Sequence, residues 1–228
     1  MTYHRIVSIG ILLGILAGTV RPGSATPIID QNFSVTPPLE GSVASETGDT
    51  SFAQSFTVGI AGLLTGADLL VFDGSSWFGL NPPTVSDIVV QIRTLIAGFP
   101  TETMLATGII PATILPTDPQ NRFTHVDFAT GVAVVPDEVL ALTTTGIANG
   151  WWGQVGTQAT YAGGQAFVRP HAATPWLPFT MVDPLGRPGD FLFRTYVDPT
   201  AIPEPSTFWS LMVVTAVAFV WKRHGQHH

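Results

Sequence analysis

Two hydrophobic patterns divide the chain. Apolar residues run almost unbroken over 6–17 and again over 208–221, whereas between these runs they come in short alternating bursts cut by glycine and proline. Alternation is clearest at 52–58, where Phe52, Gln54, Phe56 and Val58 fall on one side and Ala53, Ser55 and Thr57 on the other, the period of two that marks a strand. Bursts rich in β-branched and aromatic residues predict strands at 51–59, 63–72, 87–95, 104–110, 122–128, 132–135, 138–144, 151–155, 165–168 and 191–197. Breaker-rich stretches such as Asp73-Gly74-Ser75-Ser76 and Asn81-Pro82-Pro83 separate them. Short strands about ten residues apart predict an all-β domain, an antiparallel β-sandwich wired as a jelly roll. No internal repeat points to a solenoid or propeller.

The terminal runs stand outside that domain. Residues 1–25 place His4 and Arg5 before an apolar core and end in Gly23-Ser24-Ala25, the layout of a secretory signal peptide cleaved after Ala25. The alternative, an uncleaved anchor, is disfavoured by the short apolar run and by Arg21-Pro22-Gly23 behind it. At the other end Pro203, Glu204, Pro205 and Ser206 precede the apolar run 208–221, with Lys222 and Arg223 after it. The two prolines hold the motif extended and accessible, and the basic pair stops transfer on the cytoplasmic side. As a helix the run spans about 21 Å, short against a hydrocarbon core of about 30 Å. A permanent single-span anchor is therefore the weaker alternative. A Gram-positive sortase signal needs Leu-Pro-x-Thr-Gly, which the sequence lacks.

The motif 202–206, the transmembrane run 208–221 and the basic tail 222–228 together resemble the PEP-CTERM sorting signal of Gram-negative bacteria. The resemblance implies an exosortase as partner and processing near Pro203-Glu204-Pro205. The apolar run departs from the family pattern in lacking glycines. Strand 190–197 together with Ala53-Gln54-Ser55-Phe56-Thr57 resembles the "choice-of-anchor" exported domains that precede such tails. The expected organisation is a signal peptide over 1–25, an exported β-sandwich over 26–198, and a linker with sorting signal over 199–228.

Composition narrows the partners. Between residues 26 and 202 stand five arginines, no lysine and fifteen carboxylates, a net charge of −10. Such a surface argues against nucleic acid and against anionic membrane as partners, and is compatible with cations and neutral sugars. The chain has no cysteine, so thiol chemistry, disulfides and cysteine metal sites are excluded.

Candidate chemistry is sparse. Trp77, Trp151, Trp152 and Trp176 at loops or strand ends form a candidate ligand platform, since tryptophan rings stack on pyranose faces while Asn149, Gln154 and Gln158 supply hydrogen bonds. Core filling is the competing reading for the same rings. Asp68, Asp73, Asp87, Asp183 and Asp190 are the carboxylates available to a structural calcium; no other cofactor is expected. His125 and Asp127 share a strand face and can hydrogen-bond or help hold a metal. There is no Gly-x-Ser-x-Gly elbow, no His-Glu-x-x-His and no phosphate-binding glycine loop, and nothing marks a pair among Glu40, Glu46, Glu102 and Glu138. The expected class is a non-catalytic exported envelope or matrix protein, structural or adhesive beside exopolysaccharide. A carbohydrate-binding module is the alternative, and a glycan-processing enzyme a more distant one.

Overall fold

The computed structural model describes residues 26–34, 43–46, 49–73, 86–117, 122–145, 150–153, 160–179, 181–182 and 188–199. The segments read as signal peptide and sorting signal, including Ala25, Pro203, Glu204, Pro205, Ser206, Lys222 and Arg223, lie outside these residues, as do Trp77 and Asp183. Among the described residues the regular elements are strands, apart from a single 3-10 turn at Ala112–Ile114. In chain order they are β1 (Ile28–Phe33), β2 (Val43–Glu46), β3 (Ser51–Thr57), β4 (Gly62–Leu69), β5 (Val71–Asp73), β6 (Ile88–Ile96), β7 (Phe99–Ile110), β8 (Thr124–Val134), β9 (Val139–Thr145), β10 (Gly150–Gly153), β11 (Ala166–Arg169), β12 (Leu177–Pro178), β13 (Met181–Val182), β14 (Pro188–Gly189) and β15 (Phe193–Asp198).

All pairings are antiparallel. One sheet has the order β1-β15-β4-β8 and a second the order β12-β11-β3-β9-β6-β7, with a small sheet β2-β10-β5 and the pair β13-β14 beside them. The core joins the two large sheets. Phe52, Phe56, Val90, Ile92, Leu140 and Leu142 from the six-stranded sheet pack with Leu64, Leu69, Val126, Phe128, Phe193 and Val197 from the four-stranded one. Alternation supplies this layer, because every second residue of each strand faces inward. The architecture is thus all-β and sandwich-like.

Along one side the edge strands β7 and β8 run close together. A Cβ on Gly108 would lie 2.6 Å from the Asp127 carbonyl oxygen and 2.4 Å from Val126 Cγ2, so only glycine admits this approach. On the six-stranded sheet the outer face is also covered. Its pairing with β7 carries register shifts between Ile92 and Leu95, and bulges of this kind bend a hairpin. The bent tip of β6–β7 reaches Phe167 on β11, two ring centroids 5.9 Å apart in an edge contact. Ala53, Phe167 and Trp176 form a second small core there, which explains why both faces of β3 are buried.

The hairpin tip itself is a two-residue turn in which Ala97 has φ 51° and Gly98 φ 84°. Such mirror-image turns suit the right-handed twist of the flanking strands and favour Asn-Gly over Ala-Gly, because alanine in the left-handed region is strained. Ala97→Asn is expected to stabilise the fold by about 0.5–1 kcal/mol. A rise in the urea midpoint at constant slope is the check, and no rise would show that the turn carries no strain.

Several strand expectations need correction at their ends. The segment read as one strand over 63–72 breaks at Leu70, whose backbone N–H donates to the Leu192 carbonyl instead. The two strands read at 122–128 and 132–135 are one continuous strand, although its pairing with β4 jumps from Asp127 to Val132 at a bulge. β1 and β2 escaped the pattern: β1 is an edge strand on which Ile28 and Ile29 are exposed, so it has no inward apolar row.

Candidate functional site

Three polar constellations stand out, and strand register builds the first. The first is a row across the outer face of the four-stranded sheet. Asn32, Arg194, Asp68 and His125 are direct cross-strand neighbours on β1, β15, β4 and β8. Asp68 is nearly buried and takes three partners: His125 Nδ1 at 2.7 Å, the Tyr196 hydroxyl at 2.6 Å, and Arg194 Nη1 at 3.6 Å. Arg194 also donates from Nε to Asn32 and stacks on Phe123 at 4.1 Å. Asp68 fixes the imidazole so that Nδ1 carries a proton, and His125 Nε2 then faces Asp127 Oδ1 at 3.2 Å. The expected His125–Asp127 contact is present, and Asp68 is the partner that sequence reasoning missed.

Burial alone would lower the His125 pKa, but the hydrogen bonds and charges of Asp68 and Asp127 outweigh it and the pKa is raised. A histidine raised in the folded state contributes stability that is complete below its unfolded value of about 6.5 and is lost as pH rises through the folded value. The stability gap between the wild type and His125→Gln should therefore be larger near pH 5.5 than near pH 8. Parallel urea titrations at about those two pH values test it, and an equal gap at both would mean that the imidazole gains nothing from its carboxylates.

The second constellation is a buried acid. Asp190 lies just before β15 on a cavity of about 210 Å³ whose other walls include Tyr161, Gln165 and Phe179. Its Oδ2 accepts the Tyr161 backbone N–H at 2.8 Å. Burial pushes its pKa up, and hydrogen bonds from Tyr161, Gln54 and Ala166 offset only part of this. Gln54, fully buried, ties the same corner together by accepting the Phe191 N–H and donating to the Ser55 carbonyl.

The third lies on the covered outer face of the six-stranded sheet. Arg93 on β6 and Arg169 on β11 are both buried and both grip Glu102 on β7, from Nη1 in each case, at 3.0 and 2.6 Å. Arg93 also donates twice to Gln91 Oε1 and once to the Thr101 carbonyl. The Arg169 guanidinium stacks on Trp176 at 4.8 Å. Two guanidinium groups against one carboxylate leave one positive charge in excess. Beside this cluster runs a groove of about 410 Å³, walled by Phe99, Pro100, Thr101 and Glu102 on the hairpin and by Thr174, Pro175 and Trp176 on the facing strap. Arg169 Nε and Trp176 Nε1 are buried without a hydrogen-bond partner among the described residues.

Of the expected platform, Trp176 is only 5% exposed and has one ring face occupied by Arg169, so it borders the groove as a wall. Trp151 and Trp152 lie on β10, in register with Phe72 and Val71 of β5. The carboxylates offered to calcium are dispersed: Asp68 sits in the polar row, Asp87 caps the Ala112 N–H, and Asp190 lines its own cavity. Among the described residues no group of three or more His, Asp or Glu side chains is placed to hold a metal ion. No protein-family model matches the chain, and no curated protein matches it.

Proposed function

We propose that this chain is an exported, non-catalytic protein of the Gram-negative cell envelope or extracellular matrix, processed by an exosortase and adhesive or structural in contact with exopolysaccharide. The observation that carries this reading is the order of parts at the C-terminus: Pro203-Glu204-Pro205-Ser206, the apolar run 208–221, then Lys222-Arg223. A membrane helix would hold the chain during export and the extended motif would be the processing site.

The domain belongs to the same reading as a jelly roll. Its support is the strand order: β1, β15, β4 and β8 in one sheet and β3, β9, β6 and β7 in the other. Over these eight strands the chain changes sheet at every step, β1 to β3, β3 to β4, β4 to β6, β7 to β8, β8 to β9 and β9 to β15, except the β6–β7 hairpin, the pattern of two interlocked Greek keys. Carbohydrate binding is the second reading, favoured by the groove beside Trp176 with its aromatic and proline walls.

Intact mass spectrometry of the protein from the native envelope and medium, with and without the exosortase gene, tests the sorting claim. A mass beginning at Thr26 and ending near Pro203–Pro205, lost when the gene is deleted, is the expected result. A mature species that retains 221–228 in both strains overturns processing.

A further inference from the structure

The cluster around Glu102 is electrostatically incomplete. Arg93 and Arg169 bring two permanent charges to a place where both are buried, and among the described residues Glu102 is the one carboxylate that pairs with them. A buried charge without a full complement of partners is costly, and so is a buried N–H with no acceptor, at about 1–3 kcal/mol each. Arg169 Nε and Trp176 Nε1 are two such donors, on side chains that lie stacked together. Both N–H groups lack an acceptor among the described residues, beside an excess of positive charge. The domain as a whole is strongly acidic, so a local excess of positive charge stands against its own background.

The groove walled by Trp176, with Arg169 stacked behind that ring, suggests what carries an acceptor. Phe99, 40% exposed, and Pro100 face Pro175 and Trp176 across it. Flat apolar walls with a few polar groups at the rim suit a pyranose ring, and the volume lies within the ordinary range for small ligands of about 300–1,000 Å³. A planar carboxylate is the anion that guanidinium geometry matches best.

We propose that the groove between the β6–β7 hairpin and the 174–176 strap is a binding site for an acidic saccharide, whose uronate carboxylate takes the Arg169 Nε and Trp176 Nε1 donors while its ring lies between Phe99 and Pro175. This deepens the exopolysaccharide reading and rests on it. Both nitrogens are closed to solvent, so entry lifts the strap, whose own turn is held by Thr174 N and Oγ1 donating to the His171 carbonyl at the exposed surface.

The test is a titration of the full chain, purified in detergent, with trigalacturonate and with neutral maltotriose, following the indole N–H resonance of Trp176 assigned from its loss in Trp176→Phe. Trigalacturonate should shift that resonance and maltotriose should not. Glu102→Gln removes the competing carboxylate and should tighten trigalacturonate binding by roughly tenfold, equivalent to ~1.4 kcal/mol. Thr174→Trp crowds the groove from its rim, gives up the Thr174 hydroxyl bond while keeping the Thr174 N–H bond to the His171 carbonyl, and should abolish the shift. Absence of any shift at millimolar trigalacturonate overturns the site, and means that the two donors are met by water. An equal response to maltotriose, or weaker binding in Glu102→Gln, overturns the anionic class. The sorting reading fails separately, through a mature mass that keeps 221–228, so the two failures are distinguishable.

Discussion

Phe193→Ala should lower the unfolding free energy by about 3–5 kcal/mol, a large part of what a domain of this size has. Phe193 is fully buried on β15, and three rings converge on it: Phe33 from the edge strand at 6.5 Å, Phe56 from the opposite sheet at 5.9 Å, and Tyr161 edge-on at 5.1 Å. Removing it opens a cavity where the two sheets meet, and the surrounding rings are too rigid to collapse into it. It also loosens the Tyr161 hydroxyl, which donates to Gln31 and so ties β1 to the rest. Urea unfolding should show a lower midpoint with an unchanged slope. A loss below 1 kcal/mol would show that Phe193 is not at the centre of the core.

How far the fold was legible depends on what each residue has to do. Strands whose inward rows are apolar, such as β3 with Phe52 and Phe56 or β6 with Val90 and Ile92, declare themselves by alternation because one face must leave water. β1 does not, since Asp30 and Gln31 serve it by hydrogen bonding: Asp30 accepts the Gly59 and Ile60 N–H groups and so clamps the turn between β3 and β4. That pairing spans about thirty positions and leaves no local trace. The groove was hidden for the same reason. Arg93 in Val-Val-Gln-Ile-Arg-Thr-Leu-Ile and Arg169 after Ala-Phe-Val are cations inside apolar strands, and a buried charge of this kind announces a partner. Which partner it is follows only from the bend of the β6–β7 hairpin, which carries Glu102 across to β11. Trp176 was marked by residue type alone, and its burial against Arg169 is a tertiary fact.

Glu102→Ala should destabilise the domain by about 2–3 kcal/mol even though its carboxylate is exposed. An exposed carboxylate ordinarily contributes about 0–1 kcal/mol in an ion pair, because water screens it. Here the asymmetry decides the outcome: the Glu102 side chain is 74% exposed, but the Arg93 and Arg169 side chains that it joins are only 8% and 7% exposed. Removing the carboxylate leaves two desolvated guanidinium groups facing each other, with Gln91, the Thr101 carbonyl and the Trp176 face as their remaining partners. Breaking a fully buried pair costs about 3–5 kcal/mol, and the solvent-open side of Glu102 reduces that figure. The attribution is checked by a double-mutant cycle. In an Arg169→Met background Glu102→Ala should cost at least 1 kcal/mol less, because one of the stranded charges is gone. Equal costs in the two backgrounds would mean that Glu102 acts on the hairpin alone, and the excess positive charge beside the groove would lose its basis.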